Sequence, residues 1–239
     1  MNKLMSVKEL AEYLGYTQRT IYNMIERGDI PYVKIGKEYR FKSDDVDKLI
    51  SGEADEKNKK GLEYLKSIDN PLKKRLYFLG LLTRALEKYN VQPVLIGGNA
   101  VEFYTAGGYT TYDIDIASPH EPLEKTLKKW DFKKTGRHWT NEELDIIIEA
   151  PTSFLEAHEL ERLAEVLVDD LKVYIIGIED IIIDRLNACI HWKSSDDCIW
   201  AKEMLINYKN SVDWSYLSEV ADAKVKQKLE KLKKEIIKK

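Results

Sequence analysis

Over the first fifty positions apolar residues recur at helical spacing, then at strand spacing, then at helical spacing again. Val7, Leu10, Ala11 and Leu14 share one face of a helix that Ser6-Val-Lys-Glu9 opens as a capping box and Gly15 ends. Thr17 caps a second helix whose Ile21 and Ile25 point inward, which leaves Gln18, Arg19, Thr20, Tyr22 and Asn23 outward. Two short runs, Tyr32-Val-Lys-Ile35 and Tyr39-Arg-Phe41, flank Gly36-Lys37-Glu38 as a hairpin, and Ser43 or Asp44 restarts a helix through Val46, Leu49 and Ile50. Two helices around a glycine turn, then a hairpin, predict a winged helix-turn-helix over residues 1–50.

The next ten positions, SGEADEKNKK, carry no large apolar side chain and predict a linker or exposed helix end over residues 51–60. Beyond it strands and helices alternate. Val91 to Ile96 predicts a strand ending in Gly97-Gly98-Asn99, and Ala100, Val101, Phe103 and Tyr104 continue as a helix. Tyr109 to Ile116 alternates, with Tyr112, Ile114 and Ile116 on one face and Asp113 and Asp115 on the other. Leu144 to Glu149 sets Asp145 and Glu149 opposite Leu144, Ile146 and Ile148, and is expected to end before Ala150-Pro151. Lys172 to Ile176 predicts a further strand, and Gly177 to Trp192 a helix with Ile178, Ile181, Ile182, Cys189 and Ile190 inward. The predicted class is α+β: the winged helix-turn-helix, a mixed sheet with helices over residues 61–192, and C-terminal helices with a basic tail over residues 193–239. From Lys224 to Lys239 eight lysines and two glutamates surround Val225, Leu229, Leu232 and Ile236 at helical spacing. Such a helix packs on the body or on a second copy, giving a homodimer, or offers a basic surface to RNA or DNA phosphate.

Composition narrows the class without naming it. With 44% hydrophobic and 33% charged residues the chain falls in the globular range. Net charge is −3, and residues 1–50 hold nine Lys and Arg against eight Asp and Glu, so nucleic-acid binding must come from local patches. No apolar run reaches the roughly 18 to 20 residues of a membrane span and no signal-peptide core follows Met1, so no membrane partner and a cytoplasmic location are expected. Cys189 and Cys198 are expected to be reduced structural thiols, and His120, His138, His158 and His191 sit at no metal-ligand spacing.

Candidate chemistry centres on carboxylates beside a glycine turn. Glycines at a strand-to-helix junction let an anion approach backbone N–H groups and a helix N-terminus, which makes Gly97 and Gly98 phosphate-binding candidates. Asp113 and Asp115 point the same way roughly 7 Å apart along a strand and can share hard divalent cations. Asp145 or Glu149 supplies a third ligand. The two lie about 13 Å apart in extended chain, so one centre uses only one of them. Such a set suits Mg²⁺ or Mn²⁺, and two ions about 4 Å apart polarise an attacking hydroxyl and a leaving pyrophosphate together.

Two resemblances extend this. The run SVKELAEYLGYTQRTIYNMIERGDIPYVKIGKEYRFKSDDVDKLI resembles the small winged helix-turn-helix of phage excisionases and MerR-type regulators. The resemblance implies that the second helix enters the major groove of DNA while Lys34, Lys37 and Arg40 meet phosphate; the other use of such a module is protein contact or dimerisation. The run VLIGGNAVEFYTAGGYTTYDIDIA resembles the signature of DNA-polymerase-beta-type nucleotidyltransferases, in particular the minimal prokaryotic and AbiEii-like members, over roughly residues 90 to 200. It implies that Gly97 and Gly98 bind an NTP, that Asp113 and Asp115 bind metal, and that Glu149 rather than Asp145 completes the set. Asn99 stands where that family usually has Ser and is expected to hydrogen-bond a phosphate oxygen. EDIIIDRLNACIHWKSSDD resembles the helical end of the same group and implies that Arg185 and Lys193 approach the triphosphate, with Arg137 and His138 as secondary candidates. Two functions follow. One is a metal-dependent nucleotidyltransferase that modifies RNA such as tRNA, a protein or a small molecule and binds DNA, an arrangement suited to toxin-antitoxin or defence systems. The other is a DNA-binding transcriptional regulator whose nucleotidyltransferase fold is inactive and senses nucleotide. A carboxylate from the Leu144 to Glu149 strand beside Asp113 and Asp115 discriminates in favour of the enzyme.

Overall fold

The computed structural model describes residues 4–237, without the side chains of residues 48, 49, 51, 53 and 54. The side chain of Leu49, and Lys238 and Lys239 of the basic tail, therefore lie outside the described residues. Two compact units divide after Gly61.

The first unit runs β1 (Leu4–Ser6), α1 (Val7–Leu14), α2 (Gln18–Arg27), β2 (Val33–Ile35), β3 (Glu38–Lys42) and the start of α3 (Ser43–Leu65). Glu9 N–H donates to Ser6 Oγ at 3.2 Å and Ser6 N–H to the Glu9 carboxylate at 2.8 Å, so the capping box closes both ways. Gly15, with φ of 68°, supplies the left-handed cap that ends α1. Leu10, Ile21, Phe41 and Val46 meet in a core of their own. β1 pairs antiparallel with β3, from Leu4 opposite Lys42 to Ser6 opposite Arg40, and makes the hairpin a three-stranded sheet of order β1-β3-β2. Residues 51–60 are helical and form the middle of α3 rather than its end. Their Glu, Ala and Lys residues are good helix formers, and a solvated helix needs no apolar face there.

In the second unit α4 (Pro71–Leu86) leads through β4 (Val94–Leu95), α5 (Gly97–Tyr104), β5 (Asp113–Ala117), α6 (His120–Lys129), β6 (Lys133–Thr135), β7 (His138–Asn141) and β8 (Ile146–Thr152). After it come α7 (Ala157–Leu160), β9 (Ala164–Val168), β10 (Leu171–Ile175), α8 (Ile178–His191), α9 (Ser195–Asn207), α10 (Trp214–Val220) and α11 (Ala223–Ile237). Seven strands form one mixed sheet of order β6-β7-β8-β5-β4-β10-β9, with β5 and β8 parallel and β4 and β5 antiparallel. Ile114, Ile116 and Ile148 on one face of its centre belong to the same core as Leu79, Leu82 and Ile182. Leu205, Leu217, Val225 and Leu229 join that core too, so the C-terminal helices complete this unit rather than trail from it.

Three local expectations are corrected. Tyr112 lies just before β5 and is 84% exposed, so it does not share the inward face of Ile114. β8 does not stop at Glu149 but runs to Thr152, and a register shift between Asp115 and Ala117 of β5 absorbs Pro151. Cys189 and Cys198 are joined in a disulfide rather than left as thiols, because α8 and α9 bring their Cα atoms to 4.8 Å.

Candidate active site and nucleic-acid interface

β4 ends in a turn that only glycine fits. Gly97 has φ of 58°, and a Cβ on it would collide with the side chain of Asp115. Next along, Gly98 N–H at the start of α5 donates to Asp115 Oδ2 at 3.4 Å. Thr111 Oγ1 donates to Asp113 Oδ1 at 2.8 Å and fixes the first aspartate. The parallel register of β5 and β8 sets Asp113 opposite Ile147 and Asp115 opposite Glu149, so the three carboxylates share the sheet face turned away from Ile114 and Ile148. Burial pushes the Asp115 carboxyl up to about 6; the charge of Asp113 adds to the shift, and the Gly98 N–H opposes it.

Glu149 is nearly buried, and the start of β7 and the turn before it bring two nitrogens to it. His138 lies opposite Glu149 in the β7–β8 pair, with its Nε2 3.2 Å from Glu149 Oε2, and Arg137 Nε lies 3.2 Å from the same oxygen. Ligand atoms of Asp113, His138 and Glu149 all lie within 4.8 Å of one another. Arg137 and His138 thus meet a carboxylate, where the resemblance implied a triphosphate. His138 was legible in part, since Trp139 beside it is buried and alternation turns His138 to the opposite face. Asp145 stands apart: it sits in the turn before β8 with φ of 52°.

Asp115 and Gly97 also line a cavity of about 500 Å³, with Thr152, Asp184, Arg185 and Trp192 among its other walls. Arg185 is held there by Asp184 at 3.0 Å and by Asp197 of α9 at 2.9 Å, and these partners keep its guanidinium protonated despite burial. Lys193 is exposed and is not among the lining residues. Asp113 and His138 line a second cavity, of about 520 Å³, with Tyr112 and Ile147.

Asn99 departs from the role expected of it. Its side chain is fully buried; Oδ1 accepts from Arg75 Nε at 2.7 Å, and Nδ2 donates to the backbone carbonyl of Asp113. Arg75 also pairs with Glu102 at 2.6 Å, both side chains being buried. Asn99 therefore clamps α4 and α5 to the first residue of β5, with both atoms of its amide engaged by these partners.

In the first unit Gln18, Arg19, Tyr22 and Asn23 of α2 are exposed, while Thr20 is half-buried and spends its N–H and hydroxyl on the Thr17 cap. Lys34 and Lys37 of the wing are exposed. Arg40 is half-buried, ion-paired with Glu38, and donates to the Tyr39 carbonyl at 3.2 Å. Tyr39 packs edge-on against Tyr22 and Tyr32, with ring centroids 6.2 and 5.0 Å away, which ties wing to helix.

Residues 71–237 match the family described as "Nucleotidyltransferase of unknown function (DUF6036)", and residues 4–54 match "Helix-turn-helix domain". Among solved structures the chain is similar to an antigenic nucleotidyltransferase-like protein from Paracoccidioides brasiliensis, at 14% identity and a TM-score of 0.47 over 70% of this chain and 93% of that one. It is also similar to the antibiotic-resistance factor ANT(2'')-Ia, at 16% identity and a TM-score of 0.36 over 64% of this chain and 86% of that one. No curated protein matches.

Proposed function

The chain belongs to the family described as nucleotidyltransferases of unknown function, and from that membership we propose that it transfers a nucleotidyl group from an NTP to a hydroxyl of an RNA, protein or small-molecule acceptor, with a divalent cation as cofactor. The observation that carries the reading is the parallel register that sets Glu149 against Asp115, with Asp113 on the same face and the Gly97-Gly98 turn at its edge. Hard carboxylate oxygens fit Mg²⁺ or Mn²⁺, so Asp113, Asp115 and Glu149 are the residues that would hold the ion. When bound, such an ion stabilises charge that develops on the phosphoryl oxygens during transfer.

The chain's own groups do the rest. Gly97 and Gly98 stand at the N-terminus of α5, where backbone N–H groups and the helix dipole favour the negative charge of a phosphate. Arg185, already fixed by two aspartates, adds a cation on the wall of the same cavity. The acceptor's hydroxyl passes its proton to a carboxylate of this set as it attacks. The acceptor oxygen then bonds to the α-phosphorus as the bond to pyrophosphate breaks. Through its helix-turn-helix the protein binds DNA, with Tyr22 and Asn23 toward base edges and Arg19, Lys34 and Lys37 toward phosphate. That pairing suits an enzyme that represses its own promoter, as in toxin-antitoxin or defence systems. The test is incubation of the full chain with each α-labelled NTP, Mg²⁺ or Mn²⁺, and total cellular RNA or protein. Label on one acceptor class, lost in Asp113→Asn, is the expected result; NTP binding with no transfer to any acceptor would favour the regulatory alternative.

A further inference from the structure

Among the described residues, the tightest group of metal-ligating side chains is not the set of three carboxylates. It is Asp113, Glu149 and His138, one from each of β5, β8 and β7, three strands that are neighbours in the sheet. Their ligand atoms lie within 4.8 Å of one another; ligands at about 2.0 to 2.3 Å from one cation stand at most about 4.6 Å apart, so a side-chain adjustment of a few tenths of an ångström lets one ion reach all three. The imidazole is placed by the fold: Trp139 is buried in the core, so strand alternation turns His138 onto the carboxylate face, and antiparallel register sets it directly against Glu149. Asp115, by contrast, turns its Oδ2 to the Gly97-Gly98 turn and lines the neighbouring cavity.

We infer that His138 is a direct ligand of the catalytic cation, through Nε2, and that it makes the centre selective for Mn²⁺ and similar transition ions over Mg²⁺. The inference rests on the metal-dependent reading above and adds to it the identity of a ligand and of the preferred ion. Mg²⁺ favours all-oxygen shells and keeps its waters, whereas imidazole nitrogen binds first-row transition ions readily. One histidine beside two carboxylates therefore shifts affinity toward Mn²⁺ while leaving a hard-oxygen site that Mg²⁺ can still enter. Arg137 Nε shares Glu149 Oε2 with His138, but its side chain is 74% exposed and can swing into solvent as a cation takes that oxygen. Of the other histidines, His191 pairs with Asp222, His158 lies against Tyr216 and His120 opens α6.

The test is Mn²⁺ binding to the full-length protein, followed by calorimetry and by pulsed electron paramagnetic resonance, which detects ¹⁴N modulation from a coordinated imidazole. The expected result is ¹⁴N modulation in the parent that is absent in His138→Gln. The same substitution should lower Mn²⁺ affinity about tenfold or more while changing Mg²⁺ affinity by less than about threefold. Bound Mn²⁺ without ¹⁴N modulation, or modulation that survives His138→Gln, would overturn the histidine's role and leave the carboxylate centre standing. No Mn²⁺ binding by the folded parent at millimolar concentration would instead overturn the metal-dependent reading itself. The parent spectrum decides the question even if the variant folds poorly.

Discussion

At the scale of single residues, Glu149 and Asp145 differ in what the backbone does around them. Glu149 is held on a central strand against Asp115, whereas Asp145 occupies a left-handed turn residue outside β8. Glu149→Gln is therefore expected to lower label transfer by on the order of 100-fold or more, and Asp145→Asn to leave it within about twofold; the reverse pattern in a single-turnover assay would place the ligand at the wrong end of the strand. Asp115 lends itself to a stability test. Its carboxyl is raised from 3.8 to about 6, so the folded state binds the proton more tightly than the unfolded one. The favourable contribution is complete below about pH 4 and is lost as pH rises through 6, where a half-buried charge must be carried. Asp115→Asn should then gain on the order of 1 kcal/mol over the parent at pH 7.5 and little at pH 4.5, after allowance for solvent screening. Urea unfolding in the presence of a chelator at both pH values checks this, and an equal gain at the two would contradict it. Asn99→Ala removes the acceptor for Arg75 Nε and the donor to the Asp113 carbonyl inside the core. A loss of about 2 to 3 kcal/mol is expected from those orphaned groups, measured as a lower urea midpoint at unchanged slope.

Between elements, the disulfide that joins α8 to α9 works beside a second link, the Arg185 to Asp197 ion pair across the same two helices. Closing a loop of nine residues restricts the unfolded chain by about 2 to 3 kcal/mol, so Cys198→Ser should lower the unfolding midpoint of the oxidised protein and remove its sensitivity to reductant. A thermal melt of the parent that does not shift with dithiothreitol would show that the link adds nothing. Sequence made some elements plain and others opaque for identifiable reasons. Ser6 with Glu9, Thr17 and Gly15 announce α1 and α2 because capping is local chemistry. β1 left no such trace, since Leu4 to Ser6 become a strand only by pairing with β3, some thirty-five positions away. The Asp-x-Asp face was legible from alternation, but not the parallel direction of β8 that brings Glu149 rather than Asp145 to it. The disulfide was missed because a separation of nine residues says nothing about two helices folding back on each other. Asn99 was misjudged because its partner Arg75 lies twenty-four residues earlier, on a helix whose contact with α5 no local pattern reveals.

For the whole molecule, charge sets how DNA binding must behave. The chain carries 38 Lys and Arg against 41 Asp and Glu, so affinity for DNA cannot come from a general positive field and has to be local. Within the helix-turn-helix unit several cations are already engaged: Arg27 with Asp29, Arg40 with Glu38, and Lys8 with Glu12. Arg19 on α2 and Lys34 and Lys37 on the wing are exposed and are the phosphate contacts expected of this unit. Three such contacts release about three counterions, so a plot of log affinity against log salt concentration for the protein should fall with a slope of about −3, shallow for a DNA-binding protein. A shallow slope with adequate affinity requires that base-edge contacts from Tyr22 and Asn23 carry much of the binding, or that two copies engage one operator and double the slope. Lys37→Ala should therefore reduce the slope by about 1 and weaken binding to every sequence alike, whereas Asn23→Ala should leave the slope unchanged and weaken binding to the operator selectively. Fluorescence anisotropy over a salt series, with operator and scrambled duplexes, separates the two. A slope far steeper than twice the expected value would mean that cations outside this unit touch the DNA, and the lysine face of α11 would be the first place to substitute.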